Sequence, residues 1–132
     1  MTQEGIRAHI AVVDDERLLL QVFSSLMRQY RYEADFFSSP VKAITVILAE
    51  PGRYNLVMSD IRMPEMDGIT FAKRLRAFLP NMPILLMTGD VSAELESEAL
   101  ALGNVEFLEK PFPLEITLKE VIPKFLGLQA IP

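Results

Sequence analysis

Short apolar runs alternate with amphipathic stretches along the whole chain. Four runs are typical of strands, and they occupy residues 10–13, 56–58, 84–87 and 105–108. The first three are apolar at every position, which indicates parallel strands that are buried on both faces. A fifth run, residues 34–37, contains the charged Asp35 and is therefore expected at an edge of the sheet.

Helical patterns fill the intervals between these runs. Apolar residues recur three and four positions apart from Leu19 to Tyr30, which predicts the buried face of a first helix. Ser39 and Ser92 are the expected N-caps of the second and fourth helices, because a serine hydroxyl accepts a hydrogen bond from the first helical turn. Pro123 falls inside the last pattern and is expected to kink or shorten that helix, because proline lacks a backbone N–H.

Strand and helix patterns alternate strictly within 132 residues. Five such β–α units predict one α/β domain with a parallel sheet and helices on both of its faces. We expect this single domain to span residues 1–132, with its core at about 8–127 and flexible ends at 1–7 and 128–132. In sheets of this kind the functional site forms beyond the C-terminal ends of the strands.

Composition narrows the function classes. The chain has no cysteine and a single histidine, His9, so a thiolate metal site, a cysteine nucleophile and a zinc site built from imidazoles are excluded. A net charge of −5 weighs against direct binding of nucleic acid. No apolar run approaches the ~18–20 residues of a membrane span. We therefore expect a cytoplasmic protein that contacts neither nucleic acid nor membrane.

Polar residues follow the strands at the edge where a site is expected. They are Asp14, Asp15, Asp60, Thr88 and Lys110. Three clustered carboxylates repel one another, and one lysine leaves the set at an excess negative charge that a divalent cation would balance. The available ligands are hard oxygens, which favours Mg²⁺, with Mn²⁺ as a substitute. Such a set suits phosphoryl transfer, in which positioning and charge neutralisation provide most of the catalysis.

Four segments together resemble the response-regulator receiver domains of two-component signalling, which have a CheY-like fold. The segments are 12–16 (VVDDE), 59–68 (SDIRMPEMDG), 87–89 (MTG) and 107–112 (FLEKPF). Each is a weak signal alone, but their order and spacing are specific, and the likeness covers residues 8–127. The resemblance implies a doubly wound (βα)5 fold of the CheY/flavodoxin kind with strand order 2-1-3-4-5.

The resemblance also implies a role for each site residue. Asp60 is then the phosphoacceptor, and it ligates Mg²⁺ together with Asp15 and the backbone carbonyl of Arg62, while Asp14 acts through a water. Thr88 and Lys110 would bind the phosphoryl oxygens, and Phe107 would be the switch aromatic, the ring that responds to phosphorylation. Pro111 would follow a cis peptide bond.

By the same resemblance, the phosphoryl group comes from the phosphohistidine of a sensor histidine kinase or a phosphotransfer protein. Its arrival would change the surface formed by the fourth helix, fifth strand and fifth helix, which an output domain or partner reads and through which dimers can form. The chain would assist its own phosphorylation and dephosphorylation and would not be an enzyme with a free product.

Three other functions fit the same architecture. A flavodoxin-like carrier of FMN needs a phosphate-binding loop after the first strand, where this chain has the acidic residues 14–16. A Mg²⁺-dependent phosphohydrolase needs a second acid beside its nucleophile, where Arg62 and Met63 follow Asp60 instead. A scaffold that is never phosphorylated remains open, although the complete acidic set does not favour it.

Overall fold

β-strands and α-helices alternate throughout the computed structural model, which describes residues 5–132. The strands are β1 (Ala8–Val13), β2 (Tyr32–Phe37), β3 (Leu56–Asp60), β4 (Ile84–Thr88) and β5 (Val105–Glu109). The first four helices are α1 (Arg17–Gln29), α2 (Pro40–Ala49), α3 (Gly68–Phe78) and α4 (Ala93–Leu102), and a short 3-10 turn, Pro51–Arg53, follows α2. The last helix, α5, consists of Leu114–Ile116, a π-helical turn at Thr117–Val121, and Ile122–Leu126.

The five strands form one parallel sheet in the order β2-β1-β3-β4-β5. This order confirms the predicted doubly wound fold and places β2 at an edge, as its charged residue indicates. Each predicted strand is present and extends one or two residues beyond its predicted run. β3 and β4 continue through Asp60 and Thr88, so these polar residues are themselves part of the buried sheet.

Helices cover both faces of the sheet and enclose two apolar cores. Phe23 of α1 and Leu118 of α5 pack with strand residues such as Ile10 on one face. Ile47 of α2 and Phe71 of α3 pack with the alternate strand residues on the other face, where α4 also contributes. Strands that are buried on both faces explain why the sequence shows continuous apolar runs instead of alternation.

Local capping follows the sequence closely. The Ser39 hydroxyl accepts a hydrogen bond from the Lys42 N–H (3.2 Å) at the start of α2, and the Ser92 hydroxyl accepts one from the Leu95 N–H (3.1 Å) at the start of α4. Both predicted N-caps are therefore confirmed.

Pro123 changes the hydrogen bonding of α5 in the way its missing N–H requires. The preceding turn is π-helical, and the Ile122 N–H donates to the carbonyl of Thr117. Two carbonyls left without a helical partner are satisfied from elsewhere: Leu118 O accepts the Tyr32 hydroxyl (2.6 Å), and Lys119 O accepts the Ile131 N–H (2.8 Å). Pro123 is thus accommodated by a local π turn within α5.

The two ends predicted to be flexible differ in what the structure describes. Of segment 1–7, residues 1–4 lie outside the described residues. Segment 128–132 makes backbone hydrogen bonds to α5 from Leu128 and Ile131, so its flexibility stays a prediction. Within residues 5–132, no helix combines the length and apolarity needed to cross a lipid bilayer.

Candidate functional site

The strand order brings the predicted polar residues to one crevice. Asp14 directly follows β1, Asp60 ends β3, Thr88 ends β4 and Lys110 follows β5, and these four strands are neighbours in the sheet. Lys110 is held beside β4 because its N–H donates to the Thr88 carbonyl (2.7 Å). The Lys110–Pro111 peptide bond is cis.

Three carboxylates form the floor of the crevice. Asp14, Asp15 and Asp60 each offer an oxygen, and these oxygens lie within 4.8 Å of one another. Asp14 is completely buried and Asp60 is only 5% exposed, whereas Asp15 is exposed to solvent. Buried carboxylates at this separation repel one another strongly unless a cation lies among them.

The two buried carboxylates are oriented by neighbouring backbone amides. Asp14 Oδ1 accepts the Glu16 N–H (2.8 Å), and Asp60 Oδ1 accepts the Ile61 N–H (2.9 Å). The second oxygen of Asp14 is buried and has no hydrogen-bond partner within the described residues. A buried oxygen without a donor is costly, so this atom is suited to a cation or to a water held by one.

Lys110 is the cation that faces the carboxylates. Its Nζ lies 3.3 Å from Asp60 Oδ1, 3.6 Å from Asp14 Oδ2 and 3.8 Å from Glu16 Oε1. Burial alone lowers the pKa of Lys110, but the charges of Asp14 and Asp60 outweigh it and hold the pKa above its ordinary value. The ammonium group therefore stays protonated at neutral pH.

The same surroundings favour the charged form of Lys110 but disfavour the charged form of Asp14. Burial raises the pKa of its carboxyl group, and the charge of Asp60 raises it further, while the Glu16 N–H and Lys110 lower it only in part. One ammonium group thus does not compensate the carboxylates around it. The all-oxygen donor set, the Asp14 oxygen that accepts no hydrogen bond and the excess negative charge fit a hard divalent cation.

The backbone of Asp60 is fixed by close packing with the start of α3. The Ser59 hydroxyl donates to the Asp60 carbonyl (2.8 Å), and the Gly68 N–H donates to the Ile61 carbonyl (2.7 Å). A Cβ atom at Gly68 would lie 2.4 Å from the Asp60 carbonyl oxygen, a distance that side chains do not tolerate. Asp67 caps α3 by accepting the Thr70 N–H (2.8 Å). Segment 59–68 therefore positions Asp60 through backbone contacts.

The remaining predicted residues lie around the crevice. Thr88 is buried to 5% exposure, and its hydroxyl contacts the N–H (3.2 Å) and the carbonyl (3.4 Å) of Asp90. Arg62 is exposed and lines the crevice together with Asp15. Phe107 is half-buried and packs against the core on the α2–α4 face. The crevice encloses about 510 Å³.

Two residues that the sequence reasoning gave no role also line this crevice. Glu16 approaches Lys110, and Asp90 holds the Thr88 hydroxyl. The contact between Thr88 and Asp90 could have been predicted from the sequence, because a threonine hydroxyl commonly bonds to the backbone two residues further on. The contact between Glu16 and Lys110 could not have been predicted, since it depends on how the loop after β5 folds back.

Comparison with known proteins agrees with this geometry. The family model described as "Response regulator receiver domain" matches residues 10–122. The transcriptional regulatory protein FixJ of Bradyrhizobium diazoefficiens is 39% identical over 113 residues, which cover 85% of this chain and 52% of FixJ. The transcriptional regulatory protein ZraR of Escherichia coli K12 is 34% identical over 125 residues, which cover 92% of this chain and 27% of ZraR.

The chain therefore spans about half or less of the length of these curated relatives. Among solved structures, the chemotaxis protein CheY4 of Vibrio cholerae superposes with a TM-score of 0.78 at 30% sequence identity, and the match covers 87% of this chain and 96% of CheY4. From the matched family model, the relatives and the fold, the chain belongs to the family of response regulator receiver domains.

Proposed function

We propose that this receiver domain is a phosphorylation-dependent switch in which Asp60 accepts a phosphoryl group from the phosphohistidine of a sensor histidine kinase or a phosphotransfer protein. A carboxylate oxygen of Asp60 forms a bond to phosphorus while the bond from phosphorus to the imidazole nitrogen breaks. The electron pair of that bond stays on the departing nitrogen. The product is an acyl phosphate on Asp60.

One observation carries the proposal: the Asp60 carboxylate lies at an open crevice, 3.3 Å from the Lys110 ammonium and within 4.8 Å of two other carboxylates. Asp60 lines the crevice, where a phosphoryl group can approach it, and its backbone is fixed by Ser59 and Gly68. Transfer of this kind depends mostly on positioning and on neutralising charge.

The metal in this proposal is Mg²⁺, with Mn²⁺ as a substitute. Asp15, Asp60 and the backbone carbonyl of Arg62 would hold it directly, and the Asp14 oxygen that accepts no hydrogen bond would contact one of its waters. When bound, the ion neutralises the negative oxygens of the transferring phosphoryl group. The chain itself supplies the orientation of these ligands.

Lys110 and Thr88 would bind the transferred group from two sides. The Lys110 ammonium already faces Asp60 and would contact a phosphoryl oxygen as the new charge arrives. The Thr88 hydroxyl, at the neighbouring strand end, would donate to another oxygen. Phe107 has no hydroxyl, so any change in its position would be transmitted through packing alone. The surface of α4, β5 and α5 would then differ between the two states.

The names of FixJ and ZraR indicate the class of output. Both are called transcriptional regulatory proteins, and this chain covers only part of each. We propose that the α4–β5–α5 surface acts on an output domain or a partner protein of that class in the cytoplasm, with dimerisation through the same surface. With a net charge of −5, DNA contact would belong to that partner and not to this chain.

Intact-protein mass spectrometry tests the transfer. Wild type is incubated with acetyl phosphate in the presence and absence of Mg²⁺, alongside Asp60→Asn. Asp67→Asn is the matched control, because asparagine also caps a helix and Asp67 lies outside the carboxylate cluster. The proposal expects a Mg²⁺-dependent gain of one phosphoryl group in wild type and the control but not in Asp60→Asn. Uptake by Asp60→Asn at the wild-type rate would place the acceptor elsewhere.

A further inference from the structure

We propose that the hydrogen bond between Ser39 and Glu65 positions the backbone carbonyl of Arg62 for metal binding. Ser39 and Glu65 are then positioning residues, since neither side chain belongs to the carboxylate cluster or lines the crevice. This inference rests on the proposed function, because it takes the Arg62 carbonyl as a ligand of Mg²⁺. It extends the support of the metal site to the start of α2.

The segment that carries Arg62 is anchored at its two ends. The Ile61 carbonyl accepts the Gly68 N–H (2.7 Å), and the Asp67 side chain caps α3. Between these anchors, the backbone of residues 62–66 makes no hydrogen bond within the described part of the chain. The peptide planes of this stretch, including the one that carries the Arg62 carbonyl, can therefore turn unless side chains hold them.

Two methionine side chains hold the segment at a fixed depth. Met63 is only 8% exposed and belongs to the apolar core under α2 and α3, and Met66 packs against the same core. A methionine side chain has three rotatable bonds and adapts to irregular space, so its packing does not fix the orientation of the backbone that bears it. A directional contact is needed for that.

Ser39 supplies the directional contact. Its hydroxyl donates to Glu65 Oε1 (2.5 Å), a short bond to a charged acceptor. The hydroxyl oxygen also accepts the Lys42 N–H (3.2 Å), and the Ser39 carbonyl accepts the Ala43 N–H (3.0 Å). The N-cap geometry thus orients the Ser39 oxygen, and the single hydroxyl hydrogen remains for Glu65.

The start of α2 is a stable support for this contact. The helix is buried at three positions, Pro40, Ala43 and Ile47. The Glu65 carboxylate meets its N-cap, where the helix dipole favours a negative charge. Pro64 passes the restraint back along the chain, because its ring fixes its own φ angle and limits the conformation of Met63. Holding Glu65 therefore limits the rotation of the Arg62 carbonyl.

The position of this hydrogen bond at the surface separates positioning from stability. Glu65 is exposed and Ser39 is half-buried, so water replaces much of the lost contact when the bond is broken. Removing the acceptor should therefore leave the Tm of the metal-free chain close to wild type. The metal site should be affected more, because a ligand carbonyl must point at the ion.

Calorimetric titration with Mg²⁺ tests the proposal in Glu65→Ala, with Glu65→Gln as the matched variant. Alanine removes charge and acceptor, whereas glutamine removes only the charge, because its amide oxygen still accepts the Ser39 hydroxyl. In about 0.15 M salt, exposed charges more than about 8 Å apart are largely screened. Glu65→Ala should bind Mg²⁺ roughly 2- to 10-fold more weakly, the contribution of one hydrogen bond, and Glu65→Gln within about twofold of wild type. Wild-type affinity in Glu65→Ala, or an equal loss in both variants, would overturn the proposal.

Ser39→Ala tests the donor. It also removes the cap of α2, so its Tm should fall. Its affinity for Mg²⁺ should fall as in Glu65→Ala, and the double variant should bind no more weakly than either single variant, because both substitutions remove the same bond. Additive losses in the double variant would show that Ser39 and Glu65 act separately, against the proposal.

Methionine methyl NMR on the metal-free chain tests the segment itself. The Met63 signal should move toward its random-coil position in Glu65→Ala and stay in place in Glu65→Gln. Met27 lies in the core on the other face of the sheet and should be unchanged in both variants. An unchanged Met63 signal in Glu65→Ala would refute the claim that this bond holds residues 62–66.

Failure of this inference and failure of the proposed function give different results. If wild type binds Mg²⁺ and all the variants bind it equally well, the metal site stands and only the positioning role is refuted. If wild type binds no Mg²⁺, the proposed function loses its metal and the positioning role falls with it.

Discussion

Replacing Gly68 by alanine is expected to damage the site although Gly68 carries no functional group. The added Cβ would lie 2.4 Å from the Asp60 carbonyl oxygen and 2.8 Å from the Ile61 Cα. Ordinary contact begins at 3.4 Å, so the start of α3 and the end of β3 must separate by about 1 Å. Both neighbours are backbone atoms, and neither can rotate away.

The cost follows from that displacement. Overpacking of this kind destabilises by roughly 1–3 kcal/mol, and the lower backbone entropy of alanine in the unfolded chain offsets at most about 1 kcal/mol. A net loss of about 1–2 kcal/mol lowers the Tm of a domain of this size by roughly 3–8 °C. A shift of about 1 Å at a reacting group costs on the order of 100-fold in rate.

Two measurements check this prediction. Circular dichroism gives the Tm, and intact mass spectrometry gives the initial rate of phosphoryl uptake from acetyl phosphate. Gly52→Ala is the matched control, because nothing lies within 4 Å of its added Cβ. Gly68→Ala should lose both stability and rate while Gly52→Ala keeps both. A Gly68→Ala protein with the Tm and rate of wild type would refute the argument that backbone contact positions Asp60.

Three further substitutions test the charges. Asp15→Asn should weaken Mg²⁺ binding in a calorimetric titration, and unchanged affinity would remove Asp15 from the ligands. Asp14→Asn should raise the metal-free Tm at pH 7 but not at pH 3: because the folded state raises the pKa of Asp14, its penalty grows as pH rises above the unfolded value of 3.8. A lower Tm at pH 7 would contradict this. Asp35 behaves in the opposite way. Burial raises the pKa of its carboxyl group, but the Tyr54 hydroxyl and the charge of Arg53 lower it by more, so the pKa lies below its ordinary value. Asp35→Asn should therefore cost about 1 kcal/mol at pH 7. This difference should shrink as the pH falls below about 4, the unfolded value, and vanish below the lowered pKa of the folded state; an equal loss in urea unfolding at pH 7 and at acidic pH would be inconsistent with it.

Features set by neighbouring residues along the chain were the ones that the sequence predicted well. Apolar periodicity located every strand, and Ser39 and Ser92 cap their helices as expected because capping involves residues only three positions apart. Convergence of Asp14, Asp60 and Lys110 was also predictable, since the carboxyl ends of parallel strands meet at one edge of the sheet.

Contacts between distant segments were not predictable from pattern. The 2.4 Å distance between an added Cβ at Gly68 and the Asp60 carbonyl oxygen depends on how α3 packs on β3. The sequence of residues 59–68 alone does not determine that distance. Pro123 indicates an interruption of α5, but it does not indicate which groups donate to the carbonyls left without a helical partner. Those donors are Tyr32, in strand β2, and Ile131, beyond the end of α5. Such partners emerge only from tertiary packing.

His9 shows the same limit at a polar site. Its ring packs edge-on against Tyr54, and its Nε2 lies 3.3 Å from Asp35 Oδ2, contacts that no sequence pattern indicates. Tyr54 and Arg53 donate to that same oxygen, at 2.7 and 3.1 Å. The charge in β2 that marks an edge strand is thus also the centre of a network joining β1, β2 and the segment that precedes β3.

Chemical trapping of the phosphorylated residue tests the central claim most directly. Wild type is phosphorylated with acetyl phosphate and Mg²⁺ and then treated with hydroxylamine, which attacks an acyl phosphate at carbon, releases inorganic phosphate and leaves a stable hydroxamate on the side chain. Peptide mass spectrometry then locates that hydroxamate. We predict that it lies on Asp60 and is absent when Mg²⁺ is withheld. A hydroxamate on Asp14 or Asp15, or phosphoryl uptake that leaves none, would contradict Asp60 as the acceptor.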